Sequence, residues 1–209
     1  MPRSLVLDKK ENSMIIVQIG SNKGNTDNDP VWAMCNANIP QSYDWELILV
    51  EPNPKGVAIL SKNYIDAGFK NVKVINCGVS DKEEDLILYI DNDVPGSEAS
   101  QHCSMKKSHM HKMGHADSVI TEHPIKCVTL SSILPPKVDY LQIDTEGYDF
   151  KVLMGCDFTR HKIDIIEYEH VHISEEENSL LRKRLEENGF RETGKTAEDT
   201  QFQYVGDGT

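Results

Sequence analysis

The feature that most constrains this chain is a repeated pairing of a short, nearly continuous apolar run with a helical segment. Met14-Ile15-Ile16-Val17-Gln18-Ile19 stops at Gly20, Trp45-Glu46-Leu47-Ile48-Leu49-Val50 stops at Glu51, and Tyr140-Leu141-Gln142-Ile143 stops at Asp144. Runs this short and this apolar read as strands buried on both faces. Val72 to Ile75, Leu86 to Ile90 and Ile163 to Tyr168 read as three more. Between them lie helix signals. Asn53-Pro54 is a cap followed by proline at the first helical position, opening a helix through Val57, Leu60 and Tyr64 to Gly68. A second helix is predicted from about Tyr148 to Met154, ending at Gly155. Ser174 to Glu177 is a capping box that opens a third, through Leu181 and Leu185 to Gly189. Phe190 to Val205 reads as a terminal strand pair around Thr196 to Asp199. Such alternation predicts an α/β fold with a mostly parallel sheet and helices on both faces.

The 209 residues, 38% hydrophobic and 27% charged, suit a single globular domain over 1–209. One stretch resists this pattern. Residues 91–124 are polar and without a clear period, and they carry five of the eight histidines. A loop that long inside a compact domain predicts a lid or substrate loop. The net charge of −12 comes with no basic stripe, which argues against a nucleic-acid partner. Five cysteines, an odd number with no C-x-x-C pair, predict free thiols in a reducing compartment. No apolar run reaches the length of a signal-peptide core or a membrane span, so the expected location is cytoplasmic, with no membrane partner.

Four motifs fall at carboxyl ends of predicted strands, where open α/β sheets bind ligands. Gln18-Ile19-Gly20-Ser21-Asn22-Lys23-Gly24 turns a strand through glycines. It is either a plain strand-to-helix turn or a place where a ligand approaches the backbone. Glu51 is either a solvated strand-end carboxylate or an acceptor for two ribose hydroxyls. Asn76-Cys77-Gly78-Val79-Ser80 follows the third strand, on the adenine side of such a site. Asp144-Thr145-Glu146-Gly147 puts two acids in one turn; they would cap a helix, bind a divalent cation, orient a hydroxyl or act as base.

On these residues the chain resembles the FkbM family of S-adenosylmethionine-dependent methyltransferases. The resemblance rests on Gln18 to Gly24, on Val50-Glu51-Pro52-Asn53-Pro54, on Asn76 to Ser80 and on Leu141-Gln142-Ile143-Asp144-Thr145-Glu146-Gly147, and continues more weakly through Ile165-Ile166-Glu167. It implies a Rossmann-like class I methyltransferase fold of seven strands, the last antiparallel. It implies that S-adenosyl-L-methionine is held by Gln18, Gly20, Ser21, Asn22 and Gly24, by Glu51, Pro52 and Asn53, by Gly78, Val79 and Ser80, and by Asp144. It also implies methylation of a hydroxyl on a sugar, glycan or glycosylated small molecule. Gln18 departs from the acidic residue that many methyltransferases carry there, which puts contacts to the methionine amino group in question.

Removing a proton from a weakly acidic hydroxyl calls for a base or a bound cation. The candidates are Asp144, Glu146, Glu169 and His170, with Asp144, Glu146 and Glu169 as a ligand set for magnesium or manganese. His172 stands beside His170 as a further base or substrate contact. The loop histidines His102, His109, His111 and His115 match no standard zinc spacing. Two other readings remain. A nicotinamide-dependent reductase also wants a glycine turn and an acid after the second strand, but needs G-x-G-x-x-G and, in its short-chain form, a tyrosine followed four residues later by lysine. A cofactor-binding scaffold without turnover would keep the fold alone.

Overall fold

The structure is a computed structural model that describes residues 13–26, 29–91 and 103–206. In chain order its elements are β1 (Ile15–Ile19), α1 (Pro30–Ala37), β2 (Glu46–Val50), α2 (Pro54–Asp66), β3 (Asn71–Ile75), β4 (Gly78–Ser80) and β5 (Glu84–Asp91). These are followed by β6 (Cys103–Ser104), α3 (Lys107–Lys112), β7 (Ile120–Thr129), α4 (Leu130–Ile133) and β8 (Lys137–Ile143). The chain then forms α5 (Asp149–Met154), β9 (Lys162–Glu169), α6 (Glu175–Glu187), β10 (Phe190–Lys195) and β11 (Asp199–Tyr204).

Seven strands form the main sheet in the order β10-β11-β9-β8-β1-β2-β3. Its centre is parallel, with β1 between β2 and β8, and β9 outside β8. β11 runs antiparallel to both β9 and β10. The strand-face alternation divides the core. Val17, Ile19, Ile48, Leu141 and Ile143 pack on one face with Leu130, Val152, Leu181 and Leu185. Ile16, Leu47, Leu49 and Tyr140 pack on the other with Val31, Cys35, Leu60 and Tyr64. Both faces are covered, which is why the strands read as apolar runs and not as alternating ones. The expected caps are present. Asn53 accepts from the Lys55 N–H at 3.1 Å, and Ser174 and Glu177 close a reciprocal capping box.

Two expectations change. The Leu86 to Ile90 run belongs to β5, which lies in a second sheet of order β4-β7-β5-β6, antiparallel to β7. The polar stretch 91–124 contains β6, α3 and the first residues of β7, while His102 lies outside the described residues. β7 escaped notice because Pro124, opposite Ile87, argues against a strand and because its surface is mostly polar.

The ends of β1 and β8 approach each other closely. The Asp144 N–H donates to the Ile19 carbonyl at 2.9 Å, and the Gly20 N–H donates to the Val50 carbonyl at 2.9 Å. Gly20 has φ +84°, and a Cβ on it would sit 1.7 Å from the Asp144 carbonyl oxygen. The glycine is thus demanded by the chain's own backbone and not only by a ligand. Gly20→Ala is expected to destabilise the fold by roughly 3 kcal/mol or more, combining left-handed strain with overpacking against backbone. Urea denaturation measures this; a loss below about 1 kcal/mol would show that the β1–β8 junction opens freely.

Candidate functional site

The carboxyl ends of β1, β2 and β8 open onto a cavity of about 300 Å³. That is at the small end of the range for small-molecule sites. Four of its walls are the four motifs: Gln18 to Gly20 with Asn22, Val50 to Pro52, Cys77 to Val79, and Asp144 to Glu146. The second sheet contributes Leu88 and the Cys103 to Met105 segment.

Glu51 is only 2% exposed, yet it lies in this wall. Its Oε2 accepts from the Asn22 N–H and its Oε1 from the Asn53 N–H, both at 2.8 Å. Asn22 reaches it through a left-handed backbone, φ 49°, which asparagine tolerates better than most residues. Burial pushes the Glu51 carboxyl up to about 7, with the two N–H bonds holding it back. A carboxylate fixed this way retains lone pairs for hydroxyl donors arriving from the cavity.

Gln18 is 2% exposed, and its amide donates to Asp29 Oδ2 at 3.1 Å. The other Asp29 oxygen accepts from the Trp32 N–H at 2.7 Å, capping α1. Both side chains line the cavity, and burial raises the Asp29 carboxyl to about 6. An acid therefore stands beside the glutamine at the end of β1, carried there by the following helix. Sequence reasoning missed Asp29, although Asp29-Pro30 repeats the cap-and-proline signal of Asn53-Pro54.

The far end of the cavity is acidic. Asp144, Glu146, Glu169 and His172 line it. Burial first, then the charges of Asp149 and Glu146, raises Asp144 well above the usual carboxylate range. Burial, followed by repulsion from Asp144, Asp149 and Glu146, pushes Glu169 up to about 10. Asp149 is fully buried behind them and accepts from the Thr145 hydroxyl at 2.8 Å. Asp144 caps no helix: α5 begins at Asp149, after a turn in which Glu146 and Gly147 both adopt positive φ. The Ser104 hydroxyl donates to the Glu146 carbonyl at 2.9 Å and ties this turn to β6. Glu146 Oε2 lies 3.0 Å from His109 Nε2 and 3.6 Å from His172 Nε2, and burial lowers the pKa of both imidazoles. The ligand atoms that the described residues gather to within 4.8 Å of one another are thus those of His109, Glu146 and His172, not the carboxylate set Asp144, Glu146 and Glu169.

The remaining candidates sit behind the wall. Ser21 donates to the Gln18 carbonyl at 3.1 Å, and Asn53 caps α2. Gly24 packs on Tyr64 and Leu60, and Ser80 bonds Glu84 at 2.8 Å. His170 is turned away, with its Nδ1 3.1 Å from the Thr200 hydroxyl on β11. Side chains alternate along a strand, so Glu169 facing the cavity sends His170 to the other side. The turn after β9 then returns His172 to the cavity. His109 was missed for another reason: it is adjacent to Glu146 only through tertiary folding, 37 residues away in the chain.

Residues 18–192 match the model of the methyltransferase FkbM domain. No curated protein matches the chain. Among solved structures, the methyltransferase FkbM from Methylobacillus flagellatus KT superposes with a TM-score of 0.55 at 16% identity, covering 97% of this chain and 46% of that one. This chain therefore spans a little under half the length of the Methylobacillus protein. The ribosomal protein L11 methylase from Lactobacillus delbrueckii subsp. bulgaricus superposes with a TM-score of 0.51 at 8% identity, covering 96% of this chain and 72% of that one. At such identities the two superpositions speak for the fold alone. The family match extends over most of the length: the chain belongs to the FkbM family of S-adenosylmethionine-dependent methyltransferases.

Proposed function

We propose that this chain transfers the methyl group of S-adenosylmethionine to a hydroxyl of a sugar, glycan or glycosylated small molecule. The observation that carries the reading is the buried Glu51 carboxylate, held by two backbone N–H groups in the wall of a cavity that also exposes Gly20, Gly78 and Asp144. In this reading Glu51 accepts both ribose hydroxyls, and the Gly78-Val79 backbone lies against the adenine. Asp29, steadied by Gln18, takes the methionine ammonium, replacing the acid that β1 lacks. Pro52 and Asn22 shape the ribose end.

The methyl end then falls among Asp144, Glu146 and Glu169. The acceptor oxygen uses a lone pair to form the new O–CH3 bond, and the S–CH3 electrons return to sulfur. The hydroxyl proton goes to a carboxylate. Glu169 is the candidate: the sulfonium's positive charge opposes the burial and repulsion that raise its carboxyl to about 10, and once ionised its buried, unpartnered Oε2 can take the proton. Asp144 holds the acceptor in line. Several supports favour a sugar-like acceptor. A rim rich in carboxylates matches an array of hydroxyl donors, and the net charge of −12 opposes polyanions. The segment 103–124, which borders the cavity through Cys103 to Met105 and Met113, serves as the substrate-side wall.

Four outcomes test this. S-adenosylhomocysteine should bind by calorimetry while NAD does not. Its affinity should fall as pH drops below 7, by up to about tenfold per unit, because binding needs the ionised Glu51 and must expel its proton. Glu51→Gln should weaken binding and flatten the pH dependence between 6 and 8, leaving only the Asp29 step below about 6. A flat profile in the unaltered protein would remove Glu51 from the site. Methyl transfer from labelled cofactor should appear with sugars and glycans. Transfer to RNA alone would overturn the acceptor class, and absence of any turnover despite binding would favour a scaffold. Asp144→Asn should lower turnover by about a hundredfold or more with little change in cofactor affinity, as expected of a group that positions reactants.

A further inference from the structure

The methyl-transfer reading leaves His109 and His172 without a task, although both are brought to one carboxylate from distant parts of the chain. His109 comes from α3 and is 7% exposed. His172 comes from the turn after β9, and the two rings meet edge to face with centroids 4.4 Å apart. Glu146 stands between them in a left-handed backbone, φ 54°. We propose that His109, Glu146 and His172 form a three-ligand site for a zinc-like divalent cation on the rim of the cavity, with an open position facing the cavity.

The donor set is two imidazoles and one carboxylate. It selects borderline first-row ions over magnesium, which takes oxygen ligands. The spacing suits such an ion. Atoms bound at 2.0–2.1 Å in a tetrahedron lie roughly 3.3 Å apart. The observed separations from Glu146 Oε2 are 3.0 Å to His109 Nε2 and 3.6 Å to His172 Nε2, and all three atoms lie within 4.8 Å of one another. A small rotation of the quarter-exposed His172 ring closes the set.

A second observation points to a ligand at the same place. Glu169 is 8% exposed, its Oε1 lies 3.5 Å from His172 Nε2, and its Oε2 has no hydrogen-bond partner. A carboxyl oxygen buried without a partner calls for one from the cavity side, and a nearby cation would also favour its ionised form. A cation among the three ligands supplies charge there, and an oxygen on its open position would bring a hydrogen-bond donor to Glu169. That the oxygen belongs to the acceptor hydroxyl rests on the methyl-transfer reading; the ion site itself does not. Two neutral imidazoles and three ligands with a vacancy are the pattern of zinc centres that polarise a bound oxygen, whereas closed structural zinc sites use four protein ligands.

The test is titration of the metal-stripped protein with Zn²⁺ by calorimetry and with Co²⁺ by visible absorption. X-ray absorption at the zinc edge of the loaded protein is recorded as well. We expect one equivalent to bind and the edge spectrum to show scattering from two imidazoles. His172→Asn is expected to weaken binding by about tenfold or more, as is His109→Asn. His111→Asn, which alters the exposed His111–Asp117 pair, should leave binding unchanged. His172 carries the test if the buried His109 variant fails to fold. Absence of binding would overturn the site and leave the cluster as a hydrogen-bonded latch between α3 and the Glu146 turn. Binding that survives His172→Asn, or an edge without two imidazoles, would overturn it too. S-adenosylhomocysteine titrated in parallel separates the two claims. Zinc without cofactor binding sinks the methyl-transfer reading alone, and cofactor without zinc binding sinks the ion site alone.

Discussion

The ladder β8–β1–β2 is the constraint on which everything else depends. Its three strands are parallel and end at one edge, where the Gly20 N–H and the Asp144 N–H complete the hydrogen bonding to Val50 and Ile19. Because a Cβ on Gly20 would collide with the Asp144 carbonyl, the first and fourth motifs approach closely only with glycine at that position. That approach sets how far Asp144 stands from Glu51, and so the span of the cavity between them. The polar groups at the edge are then placed by helices and turns anchored to the ladder: Asn22 and Asn53 on Glu51, Asp29 on Gln18, Thr145 on Asp149.

Charge is the second constraint. Asp29, Glu51, Asp149 and Glu169 are each under 9% exposed, and all lie in or just behind one cavity. Burial raises every one of them. A cavity with such walls disfavours anions and rewards cations. S-adenosylmethionine brings two positive centres, the ammonium and the sulfonium, and under the proposed reading they fall near Asp29 and Asp144. A divalent ion among His109, Glu146 and His172 would add a third close to Glu169.

Much of this was legible in the sequence because it rests on local rules. The apolar runs gave β1, β2, β8 and β9, since a strand covered on both faces has to be apolar throughout. Asn53-Pro54 and Ser174 to Glu177 gave helix starts, since caps are satisfied by neighbours in the chain. What failed was non-local. β5 could not be assigned to its sheet without β7, and Pro124 concealed β7. His170 was preferred over its neighbour because the turn that follows β9 is invisible to strand alternation. His109 looked like one of several loop histidines until α3 placed it on Glu146.

The central claim is that the cavity at the ends of β1, β2 and β8 is the cofactor site. A crystal structure with S-adenosylhomocysteine tests it most directly. The account predicts ribose hydroxyls on both Glu51 oxygens, adenine against Gly78-Val79, the amino group at Asp29 and the sulfur turned toward Asp144. A ligand bound with its ribose away from Glu51, or outside this cavity altogether, would contradict it.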